Sequence, residues 1–177
     1  MYDVSIRVPL IVYGDGISGD VSSERCVDHL DTFQVICELG GVRLDFNVRY
    51  PGQSYLSLAQ GQDDEEWDDT RFGEYGDTRI IRTPHYKLVK RYGHKADELY
   101  DLENDPGEMD NVIDRADLGV EKDALLASLE MFYSEYENIG KSGIRGRALP
   151  RFNVPQKPSQ KESSEAWRDG IRESRGF

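Results

Sequence analysis

The 177-residue sequence predicts an α/β fold: the last strand and helix of a mostly parallel central sheet, then a small antiparallel sheet packed on a helix. Three observations point there. Ser5 to Tyr13 (SIRVPLIVY) is a near-continuous apolar run, the pattern of a strand covered on both faces. Asp28 to Leu39 follows with apolar residues at helical spacing. Residues 78–102 then alternate in three short runs separated by turn chemistry.

The first run contains Pro9, which is tolerated at a strand's start or on an edge. Gly14-Asp15-Gly16 and Ser18-Gly19-Asp20 close it. In the helix, Asp28 is the expected N-cap, and Asp31 stands in the first turn, where a carboxylate suits the helix dipole. Leu30, Phe33, Ile36 and Cys37 form one stripe, widened by Val35 and Leu39, and Gly40-Gly41 stops the helix. A lone strand of a parallel sheet implies that the rest of the sheet lies elsewhere. Residues 42–61 are irregular, with Pro51-Gly52 as a turn and Ser54 to Gly61 as one short helix. Gln62 to Asp69 (QDDEEWDD) is a dense acidic stretch. Its spacing fits no EF-hand, because no glycine falls at the sixth loop position and no glutamate at the twelfth, so a solvated loop is expected. Gly73-Glu74-Tyr75-Gly76 reads as a turn.

The antiparallel sheet begins with Arg79 to Thr83 and turns at Thr83-Pro84-His85, where Pro84 cannot donate to a ladder. Tyr86 to Tyr92 places Tyr86, Leu88, Lys90 and Tyr92 on one face and Lys87, Val89 and Arg91 on the other. Gly93-His94-Lys95 is a polar turn. Glu98 to Leu102 is the third strand, with Leu99 opposite Tyr100 and Leu102, and Asn104-Asp105-Pro106-Gly107 ends it. Val120 to Tyr136 is an amphipathic helix (Leu125, Leu126, Leu129, Phe132, Tyr133, Tyr136) expected to pack on one sheet face. This divides the chain into an α/β end (1–61), an acidic linker (62–77), a sheet-plus-helix subdomain (78–140) and an irregular basic tail (141–177).

The formal net charge of −12 argues against a nucleic-acid partner. Residues 141–177 carry a net of +5, which leaves −17 on the first 140. Such a tail lies back on the acidic body, touches a neighbouring subunit, or is simply solvated. No run of about 18 apolar residues is present to span a membrane. The first residues do not read as a signal peptide, because Met1-Tyr2-Asp3 is acidic and the apolar run is short and early. Cys26 and Cys37 form no disulfide framework and no Cys-x-x-Cys, and Cys37 is expected as a small buried apolar residue. His29, His85 and His94 have no companions at metal-ligand spacing. No Gly-x-Ser-x-Gly and no phosphate-binding loop occurs. No catalytic residue and no metal ligand can be assigned from these residues.

The order of segments carries more. YDVSIRVPLIV, then VDHLDTFQVICELGGV, YPGQSYLSLAQG, FGEYG, IIRTPHYKLVKR and ELYDLENDPGEMDN resemble, in this succession, the C-terminal part of a sulfatase of the alkaline-phosphatase-like superfamily. The resemblance covers Met1 to Tyr136. It implies that the first run is a strand of the large central sheet, with the capped helix covering that sheet. It also implies a parent enzyme with a divalent metal (calcium) and a formylglycine residue, acting on a sulfated small molecule or saccharide, and often exported, periplasmic or lysosomal. The Cys- or Ser-x-Pro-x-Arg motif and the metal-binding Asp pair are absent here, so the chain alone is expected to be inactive and to hold no cofactor. Its share would be structure and the active-site rim, with Arg7, Glu74, Tyr75, Asp77 and Arg79 as substrate-side candidates. Competing roles for them are a buried salt bridge for Arg7 and ion pairing on the sheet surface for Glu74, Arg79, Arg82 and Lys87. Two alternatives stand beside this reading: a non-catalytic α+β binding module, and a segment of a phosphonate or phosphate monoester hydrolase of the same superfamily.

Overall fold

Among the described residues of the computed structural model, four strands pair antiparallel in chain order: Arg71–Tyr75 (β1), Thr78–Arg82 (β2), Tyr86–Arg91 (β3) and Glu98–Asp101 (β4). Four helices among the described residues accompany them: Asp3–Ile6 (α1), His29–Leu39 (α2), Leu56–Ala59 (α3) and Gly119–Tyr136 (α4), the last preceded by a 3-10 turn at Ala116–Leu118. The structure describes residues 2–45, 47–62, 65–93, 95–137 and 144, all within the unit Met1–Arg147. His94 and all of the basic tail but Ile144 lie outside the described residues.

The sheet buries both of its faces, and register explains how. Ile81 pairs with Leu88, and Leu88 with Leu99. These three pack with Leu118, Leu125 and Leu129 beneath α4. One residue along, Ile80 pairs with Val89, and the two pack with Tyr100 and Leu102 on the opposite face. Period-2 alternation therefore sends successive apolar residues of β2 and β3 into two separate cores. Asn111 closes the free edge of β4: its Oδ1 accepts from the Leu99 and Ile113 amides at 2.9 and 3.1 Å. The three expected strands and the long helix are all present.

β1 differs from expectation, since residues 73–76 read as a turn from their two glycines. Gly73 lies inside the strand, opposite Ile80, where an added Cβ would stand 3.1 Å from the isoleucine side chain. The turn itself is the two-residue loop Gly76-Asp77, with Gly76 at φ +61°, a conformation that favours glycine. Phe72, stacked on Phe132 with centroids 4.0 Å apart, anchors β1 to α4. Trp67, in the stretch that precedes β1, is buried against Val35, Tyr55 and Leu58.

The N-terminal region departs most from the expected fold. Ser5–Tyr13 is not a strand. One helical turn satisfies its first amides locally, Ser5 N–H to Tyr2 O and Arg7 N–H to Asp3 O. Residues 7–13 then form no regular element. A strand needs a ladder partner, and the four strands of the described residues already pair with one another. α2 forms as expected, with the Asp28–Asp31 capping box complete. Its orientation does not follow the expected stripe. Asp31, Val35 and Cys37 face inward, while Phe33, Ile36 and Leu39 face solvent.

Gly52 locks α2 to the body. It sits at φ +87°, and an added Cβ would fall 2.5 Å from the Leu30 carbonyl carbon. Gly52→Ala is expected to lower stability by about 1–3 kcal/mol or more through this clash. Gly16→Ala, at φ +80° with open space around it, is expected to cost about 1 kcal/mol from backbone strain alone. Urea melts of the two variants check the difference.

Candidate functional site

The most concentrated chemistry among the described residues lies on the sheet face away from α4. Arg82, Lys87 and Tyr100 stand directly opposite one another across β2, β3 and β4. Lys87 is wholly buried, 0% exposed, because it shares the face of Val89. Its Nζ donates to Asp3 Oδ1 at 3.0 Å and to Glu108 Oε1 at 2.5 Å. The other oxygen of Asp3 accepts from Arg82 Nε at 3.0 Å. Glu108 Oε2 takes the Asp3 amide. Two cations and two carboxylates thus neutralise one another, as a buried charge requires, with Lys87 and Glu108 buried and Asp3 and Arg82 partly exposed. Glu108 reaches in from the turn after β4 with φ +54°, a left-handed backbone uncommon for a non-glycine residue. The Tyr2 ring lies against Tyr100, centroids 6.1 Å apart.

Cys26 adjoins this cluster. Arg82 Nη1 donates to its Sγ at 3.1 Å, its amide donates to Asp69 Oδ1 at 2.7 Å, and its carbonyl accepts from Arg71 and from Trp67 Nε1. Arg71 also meets the buried Asp31 at 3.3 Å and lies over the Trp67 ring. Burial pushes the Asp31 carboxyl above its ordinary value, against the backbone hydrogen bonds from Asp28 and Gln53. The acidic stretch is thus tied into the body through Asp69. Cys37 is buried, as expected of a small apolar residue.

The five candidate residues do not converge. Arg7 is exposed and pairs with exposed Glu24 at 3.2 Å, so a buried salt bridge is not its role. Glu74 and Arg79 face each other across the hairpin at 2.8 Å. Arg79 is buried on the α4 side, its guanidinium 3.8 Å from the centre of the Tyr133 ring and 3.0 Å from Glu137. Burial opposes its charge, but Glu74 and Glu137 hold its pKa above the ordinary value. Tyr75 is exposed at the hairpin tip. Asp77 accepts the Tyr92 amide through its carbonyl at 2.9 Å. Surface ion pairing is therefore the wrong description for Arg79 and Lys87, both of which are buried. Sequence reasoning missed the Lys87–Glu108–Asp3 set. The available signal was a lysine in register with Val89 on an apolar face, which demands a carboxylate from elsewhere.

Among the described residues no group of three His, Cys, Asp or Glu side chains stands together to hold a metal ion. The two cysteines lack the sequence context of a formylglycine precursor. The described residues therefore do not fit either group, and no catalytic step is assigned to them.

Burial alone would raise the Asp3 pKa, but the hydrogen bonds and charges of Lys87 and Arg82 outweigh it and lower the pKa below 3.8. A lowered carboxylate pKa contributes stability above the unfolded value and loses it as pH falls through the folded value. Asp3→Asn is expected to lower the urea midpoint near about pH 7, and the gap from wild type is expected to close below the folded pKa. Melts of both proteins across acid pH check this.

Residues 1–134 match the family described as N-sulphoglucosamine sulphohydrolase, C-terminal. A Delta 4,5-hexuronate-2-O-sulfatase of Bacteroides thetaiotaomicron is 30% identical over 127 residues, covering 63% of this chain and 25% of the relative. A solved structure of an enzyme in complex with its substrate D-glucosamine-2-N,6-O-disulfate superposes with TM-score 0.51 at 22% identity, covering 60% of this chain and 24% of that one. The phosphonate monoester hydrolase of Silicibacter pomeroyi superposes with TM-score 0.59 at 15% identity, covering 69% and 28%. The chain spans about a quarter of the length of the curated relatives it matches. With the family matched over about three quarters of its residues, the chain belongs to the C-terminal sulfatase family of N-sulphoglucosamine sulphohydrolase.

Proposed function

We propose that the chain is the C-terminal segment of an enzyme that hydrolyses sulfate esters of saccharides, and that it supplies framework and active-site rim rather than catalytic groups. The observation that carries this reading is the apolar surface of the N-terminal region. Val8, Ile11 and Tyr13 are 73%, 87% and 100% exposed, and Ile36 on the outer face of α2 is 65% exposed. So much apolar surface in one region is the mark of a contact face. In this reading residues 5–13 join a mostly parallel central sheet as a strand, α2 lays its outer stripe on that sheet, and residues 1–61 end the α/β domain. Residues 62–77 connect it to a sheet-and-helix subdomain at 78–140. The metal (calcium) and the formylglycine would belong to the remainder of the enzyme.

The saccharide preference rests on the sequence relatives, since the superposition on a phosphonate monoester hydrolase shows a shared fold and does not select the ester. In the proposed rim, Arg7 and the hairpin tip bearing Glu74, Tyr75 and Asp77 face substrate, and Arg79 positions Glu74. A longer protein containing this chain is expected to release sulfate from D-glucosamine-2-N,6-O-disulfate. Release of a phosphonate monoester's alcohol without sulfatase activity would favour the phosphonate reading. In the sulfatase case, Tyr75→Ala is expected to lower kcat/KM by about tenfold with an unchanged melt.

The chain on its own is expected to enhance the fluorescence of anilinonaphthalene sulfonate, and Leu10→Asp with Ile36→Asp to reduce that signal. A cooperatively melting chain that binds no dye would instead support a self-sufficient binding module.

A further inference from the structure

We infer that Arg82, Lys87 and Glu108 form a preorganised socket for the Asp3 carboxylate and amide, a docking point that sets where the chain entering at residue 2 meets the C-terminal sheet. The geometry is complementary at every polar atom of the Asp3 head. Oδ1 takes Lys87 Nζ, Oδ2 takes Arg82 Nε, both at 3.0 Å, and the Asp3 amide donates to Glu108 Oε2. Lys87 and Glu108 also bind each other, so that pair stays in place when Asp3 is removed. The three socket residues come from β2, β3 and the turn after β4, separated from Asp3 by 79, 84 and 105 residues. Beyond Asp3 the attachment thins. Arg7 makes an exposed pair with Glu24, and Val8, Leu10, Ile11 and Tyr13 are exposed. Residues 2–13 are therefore held at Asp3 and open from Val8 onward. The socket's influence on catalysis rests on the sulfatase reading above, through the placement of Arg7 four residues on. Its docking role does not.

The test is amide hydrogen exchange on the full chain with Asp3→Ala, a substitution that leaves the Lys87–Glu108 pair in place. Exchange at Ser5 and Arg7, whose amides bond to Tyr2 and Asp3 carbonyls, is expected to speed up by about tenfold or more. Amides of Leu88, Leu99 and Leu129 are expected to speed up less, by no more than the fall in global stability read from the urea midpoint accounts for. Asp3→Glu, which keeps the carboxylate, is expected to recover part of the protection. Equal acceleration at all these amides would reduce Asp3 to a contributor to global stability and overturn the docking role. So would unprotected Ser5 and Arg7 amides in wild type, or no change in the variant. In the longer protein, Asp3→Ala is expected to lower kcat/KM at a temperature where both proteins are fully folded. Wild-type kinetics in that variant would remove the positioning claim. An inactive wild type would count against the sulfatase reading, and the exchange rates alone would then decide the socket.

Discussion

A lysine with no access to water has to be answered by carboxylates, and the arrangement around Lys87 follows from that need. Taking an ammonium out of water costs several kcal/mol unless good hydrogen bonds and an opposite charge compensate it. Lys87 lies in β3 between the strand neighbours Arg82 and Tyr100, on the face of Val89. One compensating carboxylate comes from Glu108, which bends back at φ +54° beneath β4. The turn that carries it is held by its own side chains, with Asp105 taking the Asp110 amide and Asn104 bonded to Asp101. Asn111, three residues past Glu108, then caps the β4 edge through the Leu99 amide. The second carboxylate is Asp3, and with it the N-terminal segment comes onto the sheet. One buried cation thus links the sheet, the turn after it and the start of the chain.

The two sheet faces divide the labour. On one, α4 covers the core of Ile81, Leu88 and Leu99, with Arg79 set between Tyr133, Glu74 and Glu137 as a polar seal. On the other, a smaller apolar cluster around Val89 gives way to the ionic socket. The region before the sheet is built differently. Local rules complete α2, whose capping box needs only its own first turn. Gly52, Asp31 and Arg71 then fasten that helix to the body, with Val35 packed against Tyr55, Leu58 and Trp67. Its apolar stripe is left outward, beside the equally open run from Val8 to Tyr13. Both thus present an apolar face to solvent, the face that the proposed function covers with the rest of an enzyme.

Period-2 alternation was legible in β2, β3 and β4, and helical spacing in α2 and α4, because each pattern is a property of neighbouring residues. The Asp28 cap and the burial of Cys37 were legible for the same reason. β1 was not, since Gly73 reads as a breaker until the close approach of Ile80 supplies its reason. The run at Ser5 to Tyr13 has the composition of a buried strand, but composition cannot supply a ladder partner. The outward face of α2 was hidden because periodicity marks a stripe without saying which way it points. Of the candidate site, the ordered succession of segments pointed to the family. The Lys87 socket depends on contacts across 79 to 105 residues, which no local pattern encodes.

In the proposed enzyme the open N-terminal face is covered by the rest of a sulfatase. The most direct measurement is backbone amide exchange at residues 8–13, excluding Pro9, in the chain alone and in the longer protein that contains it. Fast exchange is expected in the chain alone, and alternate-residue or full protection, of strand type, in the longer protein. Equally fast exchange in both would contradict this expectation, and would show that this run never joins a sheet.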